Sequence, residues 1–157
     1  PKNSDGKNLP LIINPHGGPA SRDVWGYNPE HQFFASRGYA VLSMNFRGST
    51  GYGRSHVKMA NGQWGRKMQD DVTDSVNWAV DQGIADKDNV CIYGASYGGY
   101  AVMAGITKTP KMYKCAVNYV GVTDMGLLFS KMPKVWEIWE EQQKIEIGDY
   151  ENDNDYL

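Results

Sequence analysis

Positive and negative charges nearly balance in this sequence, and the lack of a large excess of either argues against two classes of function. Lysine and arginine number 16 and aspartate and glutamate number 18, so the 157 residues carry a formal net charge of −2. Proteins that bind nucleic acid usually concentrate basic residues on one face, and proteins that bind membrane surfaces usually carry a polybasic segment. Neither pattern occurs here, so we expect no nucleic-acid partner and no membrane partner.

Long apolar runs are also missing. No stretch approaches the ~18 consecutive apolar residues that a membrane-spanning helix needs. Hydrophobic residues nevertheless make up 41% of the chain and aromatic residues 12%, which is enough for a globular core. We therefore interpret the chain as one domain or part of one. Residues 1–8 are interpreted as an N-terminal loop and the acidic residues 148–157 as a loop at the other end.

Cysteine is rare as well, with only Cys91 and Cys115 present. Both lie inside apolar, strand-like runs, and no C-x-x-C pair suggests a metal site. We expect two buried free thiols rather than a disulfide. The sequence leaves the compartment, cytoplasmic or periplasmic, unresolved.

What the sequence does contain is a regular alternation of strand-like and helix-like segments. Apolar runs predict four strands, at 9–14, 39–45, 89–93 and 114–120. Helical spacing predicts three helices between them and two after them, at 28–37, 66–82, 100–108, 125–131 and 134–144. This order predicts an α/β fold with a mostly parallel sheet and helices on both faces. Ligand sites of such sheets lie at the carboxyl ends of the strands, and glycine-rich loops follow the first three strands there.

One of these loops carries the pentapeptide Gly94-Ala95-Ser96-Tyr97-Gly98, between a predicted strand and a predicted helix. A G-x-S-x-G sequence on such a turn is the nucleophile elbow of serine hydrolases, with the serine hydroxyl exposed. Ser96 is therefore the candidate nucleophile, and it needs a base within hydrogen-bonding reach. The structural alternative is a serine in an ordinary turn that binds phosphate at a helix N-terminus.

A nucleophilic serine also needs hydrogen-bond donors for the oxyanion that forms during the reaction. One donor is expected from the backbone amide of the residue after the nucleophile, here Tyr97, and another from the loop after an earlier strand. His16-Gly17-Gly18-Pro19 stands in that second position. We predict the amide of Gly18 as the donor, with Gly17 as the next choice, and we assign His16 to ordering the loop rather than to catalysis.

Charged and aromatic residues near these loops have simpler interpretations. Arg47 follows a strand, and Asp70, Asp71 and Asp74 open a helix, where the helix dipole favours acids. We expect one ion pair between loop and helix and otherwise solvated acids; substrate binding by Arg47 is the alternative. Four aromatic residues are candidates either for the site or for the core: Tyr52, Trp64, Tyr97 and Tyr100.

Taken together, these motifs resemble a known family over about residues 9–130. His16–Pro19, Asn45–Gly53, the Asp70-Asp71 pair and Gly94–Tyr100 occur in that order. They resemble the catalytic domain of the prolyl oligopeptidase family of serine peptidases, most closely its acylaminoacyl-peptidase and dipeptidyl-peptidase-like branches. The resemblance implies an α/β-hydrolase fold, an acyl-enzyme on Ser96, no cofactor, short peptide substrates and a β-propeller elsewhere in the full-length protein.

The sequence departs from that family in one respect. In this fold the catalytic residues follow the chain order serine, acid, histidine. The three histidines, His16, His31 and His56, all precede Ser96. We therefore expect a partial catalytic domain that lacks the triad Asp and His and the last strands, and that is inactive by itself. Its sheet would keep an open edge, which makes a homo-oligomer an open possibility.

Two other functions remain open at this point. An esterase or lipase-like α/β-hydrolase would use the same elbow on a different substrate. A hydrolase-fold binding module that has lost its catalytic residues would not be an enzyme at all. The glycine-rich Arg47–Gly53 loop favours the peptidase over the esterase, and the intact elbow and His16–Pro19 loop argue against the inactive module.

Overall fold

The computed structural model describes residues 1, 2 and 4–148, and strands and helices alternate along them. The four strands are β1 (Leu9–Ile13), β2 (Ala40–Leu42), β3 (Ala85–Ala95) and β4 (Cys115–Tyr119). The six α-helices are α1 (Pro29–Ala35), α2 (Arg54–Lys58), α3 (Lys67–Asp81), α4 (Tyr97–Lys108), α5 (Met125–Ser130) and α6 (Glu140–Ile147). A 3-10 helix at Lys134–Trp139 precedes α6.

The strands form one parallel sheet in the order β2-β1-β3-β4. Strand β1 pairs with both β2 and β3, and β4 pairs with β3 from Cys91↔Cys115 to Ala95↔Tyr119. The carboxyl ends of all four strands therefore lie at one edge of the sheet, which we call the carboxyl edge. The predicted α/β architecture with a parallel sheet is confirmed.

The core divides into two clusters, one along the sheet and one under the loops of the carboxyl edge. The sheet cluster joins strands β1 and β3 to helices α3 and α4 and includes Leu11, Ile13, Val72, Val76, Val90, Ile92 and Val102. The loop cluster is richer in aromatic residues and contains Phe46, Ala60, Trp64, Met68, Tyr97, Ala101 and Ile147. The loops that carry the predicted site thus rest on a packed base.

Local sequence signals explain where α1 begins and which face of α3 is buried. The Asn28 side chain accepts hydrogen bonds from the amides of Glu30 and His31, and Pro29 occupies the first position of α1, where no amide donor is needed. Along α3, the buried apolar residues recur every three or four positions. Val72, Val76 and Ala79 belong to the sheet cluster, and Met68 belongs to the loop cluster.

The secondary structure differs from the sequence prediction in several places. Helix α2 was not predicted, because five largely polar residues give no periodic signal. Strand β3 begins at Ala85, four residues before the apolar run, because Leu9 of β1 pairs with Ala85 across an irregular register. The helix predicted at 134–144 is divided into the 3-10 helix and α6.

The prediction of two buried free thiols is wrong. Cys91 and Cys115 form a disulfide between β3 and β4, and Cys115 is exposed. The two residues are direct partners in the parallel register, with 4.7 Å between their Cα atoms. That spacing is within the range a disulfide requires. A sequence separation of 24 residues does not reveal this register.

The predicted loop at 148–157 lies almost entirely outside the described residues, since only Gly148 is described. At the other end, residues 1, 2 and 4–8 precede β1 as turns and bends. None of the helices in the described part of the chain is long and apolar enough to cross a lipid bilayer.

Candidate active site

The predicted nucleophile lies on a sharp turn at the carboxyl edge. Strand β3 ends at Ala95, helix α4 begins at Tyr97, and Ser96 between them has φ 57° and ψ −120°. A positive φ is unusual for any residue except glycine and costs about 1–3 kcal/mol, which the surrounding structure must offset. Strand, strained serine and helix therefore form the elbow that the pentapeptide predicts.

The glycines on either side of Ser96 are required by close packing. A Cβ atom on Gly94 would collide with the carbonyl oxygen of Gly98, and one on Gly98 would collide with the carbonyl oxygen of Pro15. The backbone of α4 therefore approaches both β3 and the end of β1 more closely than a side chain allows. This contact fixes the elbow against the loop that follows β1.

The Ser96 side chain is exposed at the top of this turn. Within the described residues, its hydroxyl has no hydrogen-bond partner. The Ser96 amide donates to the Tyr119 carbonyl of β4 at 3.1 Å, so the neighbouring strand holds the strained residue in place. Tyr97 provides the first amide of α4, which has no acceptor in a preceding helical turn.

The loop after β1 lies directly against the elbow. A Cβ atom on Gly17 would lie 3.5 Å from Ser96 Cβ and 3.2 Å from the Ala95 carbonyl oxygen. Gly18 is exposed, with φ 127°, and precedes Pro19 through a cis peptide bond. The structure therefore brings the predicted nucleophile together with residues 16–19, which we call the donor loop.

His16 orders this loop through both of its ring nitrogens. Its Nδ1 lies 2.7 Å from the Gly17 carbonyl oxygen and its Nε2 lies 2.8 Å from Ser49 Oγ. A carbonyl oxygen only accepts, so Nδ1 carries a proton, while Nε2 is paired with the Ser49 hydroxyl, which can donate or accept. The ring also stacks on Phe46, with 4.3 Å between centroids. These contacts agree with the predicted loop-ordering role.

The bond to Gly17 also orients a donor. The Gly17 carbonyl and the Gly18 amide belong to one planar peptide unit, in which C=O and N–H point in opposite directions. His16, by fixing the carbonyl, therefore fixes the direction of the Gly18 N–H.

Sequence reasoning missed Ser49, which is fully buried and holds His16 from the Arg47–Gly53 loop.

The other two histidines are engaged elsewhere. His31 Nε2 donates to Asn14 Oδ1 at 2.9 Å, and His56 Nε2 donates to the Phe46 carbonyl oxygen at 3.2 Å. Neither is hydrogen-bonded to Ser96 in the part of the chain that the structure describes. In the described residues, each of the three histidines is thus hydrogen-bonded to scaffold atoms and not to Ser96.

The predicted ion pair between loop and helix is confirmed. Asp71 Oδ2 accepts from the Arg47 amide at 2.9 Å and from its Nε at 2.8 Å, and Asp71 Oδ1 accepts from Nη2 at 2.5 Å. These bonds raise the pKa of Arg47 above its ordinary value, against the opposing effect of burial. Asp70 is also paired, with Lys108 Nζ at 2.7 Å, so it is not merely solvated.

Of the four aromatic candidates, three pack in the core. The ring of Tyr97 contacts those of Phe46, Trp64 and Tyr100 at centroid distances of 4.6–5.8 Å. Its hydroxyl donates to Met68 Sδ at 3.6 Å, and burial raises its pKa well above the ordinary value. The phenol of Tyr97 therefore stays neutral and supports the elbow from below. Tyr52 is half exposed on the Arg47–Gly53 loop.

No group of three or more histidine, cysteine, aspartate or glutamate side chains in residues 1, 2 and 4–148 is arranged to hold a metal ion. The arrangement is instead an exposed, strained serine beside two backbone segments rich in amide donors. Chemically, it can present a hydroxyl nucleophile and stabilise a negative oxygen next to it.

Comparison with known proteins agrees with this geometry. The family model described as the prolyl oligopeptidase family matches residues 25–157. Dipeptidyl aminopeptidase BIII of Pseudoxanthomonas mexicana is 47% identical over 154 residues, which cover 96% of this chain and 22% of that protein. The acylamino-acid-releasing enzyme of Arabidopsis thaliana is 32% identical over 130 residues, which cover 77% of this chain and 17% of that enzyme.

Solved structures give the same result. A puromycin-hydrolysing peptidase of Mycobacterium tuberculosis superposes with a TM-score of 0.84 and 32% identity, covering 93% of this chain and 22% of that one. The chain therefore spans about a fifth of the length of these relatives. The neighbours are α/β-hydrolase domains of serine peptidases, and the predicted fold is confirmed. On the matched residues and the shared fold, this chain belongs to the prolyl oligopeptidase family.

Proposed function

We propose that this chain is the nucleophile-bearing part of a serine peptidase that hydrolyses short peptides or acyl-peptides through an acyl-enzyme on Ser96. The observation that carries the proposal is the exposed serine at φ 57° between β3 and α4, with the Gly17-Gly18 segment lying against it. Strain of this kind is found where a side chain must be presented for reaction.

In the proposed reaction, Ser96 Oγ attacks the scissile carbonyl carbon while a base takes its proton. The carbonyl oxygen becomes an oxyanion, which the amides of Tyr97 and Gly18 stabilise, with Gly17 as the alternative donor. Collapse of this intermediate breaks the bond to the leaving amine, which takes up the proton. Water then hydrolyses the Ser96 ester and restores the free hydroxyl.

The base and its orienting acid come, in this proposal, from sequence outside the 157 residues. No histidine follows Ser96, and the three that precede it are hydrogen-bonded within the scaffold. The 157-residue chain by itself is then expected to turn over no measurable peptide, because Ser96 without a base loses several orders of magnitude in rate.

The substrate class rests on the relatives. Their names, a dipeptidyl aminopeptidase and an acylamino-acid-releasing enzyme, describe the release of dipeptides and of acylated amino acids. Since the chain spans 22% of the first of these, we propose that the full-length protein contains further domains, including the β-propeller that the family resemblance implies. Such a propeller would restrict the site to short chains.

The test is hydrolysis by the full-length protein and by its Ser96→Ala variant. We expect the wild type to cleave aminoacyl-anilides and short acyl-peptides, and the variant to lose at least ~10³-fold in kcat. A fluorophosphonate probe should label the wild type once, at Ser96. Ser36→Ala, which removes an exposed hydroxyl beyond α1, serves as the matched control and should behave as the wild type.

Two results would refute the proposal in different ways. Hydrolysis of short acyl esters without hydrolysis of any peptide substrate would identify an esterase instead. Complete inactivity of the full-length protein, with no labelling of Ser96, would support an inactive binding module.

A further inference from the structure

A second loop feature lies beside the donor loop and has no role in the reaction described above. Arg22 is exposed in residues 20–27, which we call the 20–27 loop and which follows Pro19 at the carboxyl edge. Arg47 and Lys108 are each paired with an aspartate, but no carboxylate of the described residues lies within ion-pairing distance of Arg22. Its guanidinium is therefore a cation whose donors are free to meet a ligand.

Arg22 is nevertheless held in a defined position. Its guanidinium lies over the ring of Tyr52, with 5.3 Å between the guanidinium carbon and the ring centroid. It also packs closely against Gly51, because a Cβ atom there would collide with Nη1 and lie 2.9 Å from Cδ of the arginine. Stacking on an aromatic ring restrains an arginine without using its hydrogen-bond donors.

The loop that carries Arg22 is braced on Asn45 and on the Arg47–Gly53 loop that follows it. Asn45 Oδ1 accepts from the Asp23 amide at 2.8 Å, and Asn45 Nδ2 donates to the Asp23 carbonyl oxygen at 2.9 Å. The same Nδ2 donates to the Tyr52 hydroxyl at 3.0 Å, and the Thr50 amide donates to the Ser21 carbonyl oxygen at 2.8 Å. These contacts hold the arginine and its aromatic support together.

The braced loop is continuous with the predicted oxyanion donors. A Cβ atom on Gly18 would lie 3.0 Å from the Cβ and amide nitrogen of Ser21, the residue before Arg22. The adjoining Gly17 packs against Ser96, as described above. An extended peptide advances about 3.3 Å per residue, so a substrate bound at Ser96 can place a charged group near this arginine within a few residues of the scissile bond.

We propose that Arg22 binds a carboxylate of the peptide substrate while its scissile bond is held at Ser96. This rests on the proposed peptidase function and specifies the substrate further. The planar fork of guanidinium N–H donors matches a carboxylate in two parallel hydrogen bonds, which a backbone carbonyl or a neutral amide cannot accept. The carboxylate has two possible sources: the C-terminus of the leaving fragment, or an Asp or Glu side chain of the acyl fragment.

The experiment measures kcat and KM of the full-length protein on two matched pairs of peptides. One pair differs only in a C-terminal acid or amide, and the other only in Glu or Gln next to the scissile bond on the acyl side. We expect the wild type to prefer the carboxylate member of at least one pair, and the pair that responds identifies the source. The preference should weaken as salt is raised.

The variant Arg22→Gln should reduce kcat/KM for that carboxylate member by ~10-fold or more, mainly through KM, and leave its neutral partner within ~2-fold. Arg22→Lys should keep part of the preference, because lysine retains the charge but not the fork. Arg37→Gln is the matched control: this arginine also stacks on an aromatic ring, that of Phe33, but it follows α1 at the opposite edge of the sheet.

An unchanged acid-to-amide and Glu-to-Gln ratio in Arg22→Gln overturns the proposal, and so does an equal loss on all four peptides. The second result would mean that the arginine supports the donor loop instead. Labelling of Ser96 by a fluorophosphonate verifies that each variant is folded, and Arg22→Lys carries the test if the glutamine variant is not. A wild type that cleaves none of the peptides refutes the proposed function itself, which is a distinguishable result.

Discussion

Strands β1 and β4 lie on opposite sides of β3, both parallel to it and both apolar, yet their environments differ. In β1, Leu11 and Ile13 are 1% and 0% exposed. In β4, Val117 is 52% and Tyr119 60% exposed. Strand β1 has a neighbour on each side and helices over it, whereas no described residue pairs with the outer edge of β4. An apolar run in the sequence therefore predicts a strand, but its burial depends on what lies next to it.

Both strands hold the elbow despite this difference. On the β1 side, the Asn14 side chain donates to the Tyr93 carbonyl oxygen at 2.8 Å, and Gly98 packs on Pro15. On the β4 side, the Tyr119 carbonyl accepts from the Ser96 amide, and a disulfide joins the two strands. The support on the β1 side is buried packing with a partly buried hydrogen bond, and the support on the β4 side is one hydrogen bond and a disulfide at an open surface.

Gly98→Ala should have the largest effect, because it separates the elbow from the β1 side. The added Cβ atom collides with the Pro15 carbonyl oxygen, and the donor loop begins at the next residue. We expect a ~10²–10³-fold loss of kcat/KM in the full-length protein, the usual cost of misplacing reacting groups by about 1 Å. Steady-state kinetics on an aminoacyl-anilide measures this loss.

Gly126→Ala is the control for that substitution. Its Cβ atom would make only an ordinary contact, at 3.4 Å from Asp124 Oδ1, and it lies within α5. Activity should therefore be retained. Equal losses in the two variants would contradict a specific clash at the elbow.

Ile13→Ala and Val117→Ala compare the two strands directly. Truncating the fully buried Ile13 should lower the free energy of unfolding by about 2–5 kcal/mol, because it leaves a cavity in the sheet cluster. Truncating the half-exposed Val117 should cost less than about 1 kcal/mol. Urea unfolding of each variant gives these values. A cost at Val117 close to that at Ile13 would mean that β4 is covered in the purified protein, by further chain or by a second copy.

The same contrast explains how far the sequence could predict the structure. The four strands and the elbow were predictable, because three of the four apolar runs end in glycine-rich turns and the helices between them bury regularly spaced residues such as Val72 and Val76. Helix α2 was not predictable from five largely polar residues, and β3 begins within polar sequence because β1 extends alongside it. In the site, His16, Gly17 and Ser96 could be grouped by sheet topology.

Other parts of the site depend on register and side-chain packing, which no local pattern specifies. The Cys91–Cys115 pair requires β4 to lie beside β3 in one particular alignment. The Ser49–His16 bond and the two-sided contact of Asn45 with Asp23 join loops 22 to 33 residues apart. These residues could be recognised as part of a motif, but not assigned a role.

Removing the disulfide should weaken the β4 side by about 3 kcal/mol, the expected effect of a crosslink that closes a loop of roughly this length. The double variant Cys91→Ala, Cys115→Ala and dithiothreitol treatment of the wild type should lower the urea midpoint to a similar extent. Reductant should then have no further effect on the double variant. Two titratable thiols in the native, unreduced protein would instead support the free cysteines expected from the sequence.

The smallest effect is a pH dependence at the surface between α1 and β3. The Tyr93 hydroxyl donates to Glu30 Oε1 at 2.6 Å. This hydrogen bond, together with partial burial and the negative charge of Glu30, raises the pKa of Tyr93 to about 12. In the unfolded chain the phenol has its ordinary pKa of about 10. Between these values the native state binds more protons, so stability is full below pH 10 and falls as pH rises towards 12.

Because the Tyr93–Glu30 pair is largely exposed to solvent, we expect a loss of no more than about 1 kcal/mol across that interval. Urea unfolding at pH 9, 10, 11 and 12 measures it for the wild type and for Tyr93→Phe, which cannot ionise at this position. The difference in unfolding free energy between the two proteins should favour the wild type at pH 9 and shrink by pH 12. A constant difference would show that the hydrogen bond to Glu30 makes no pH-dependent contribution to stability.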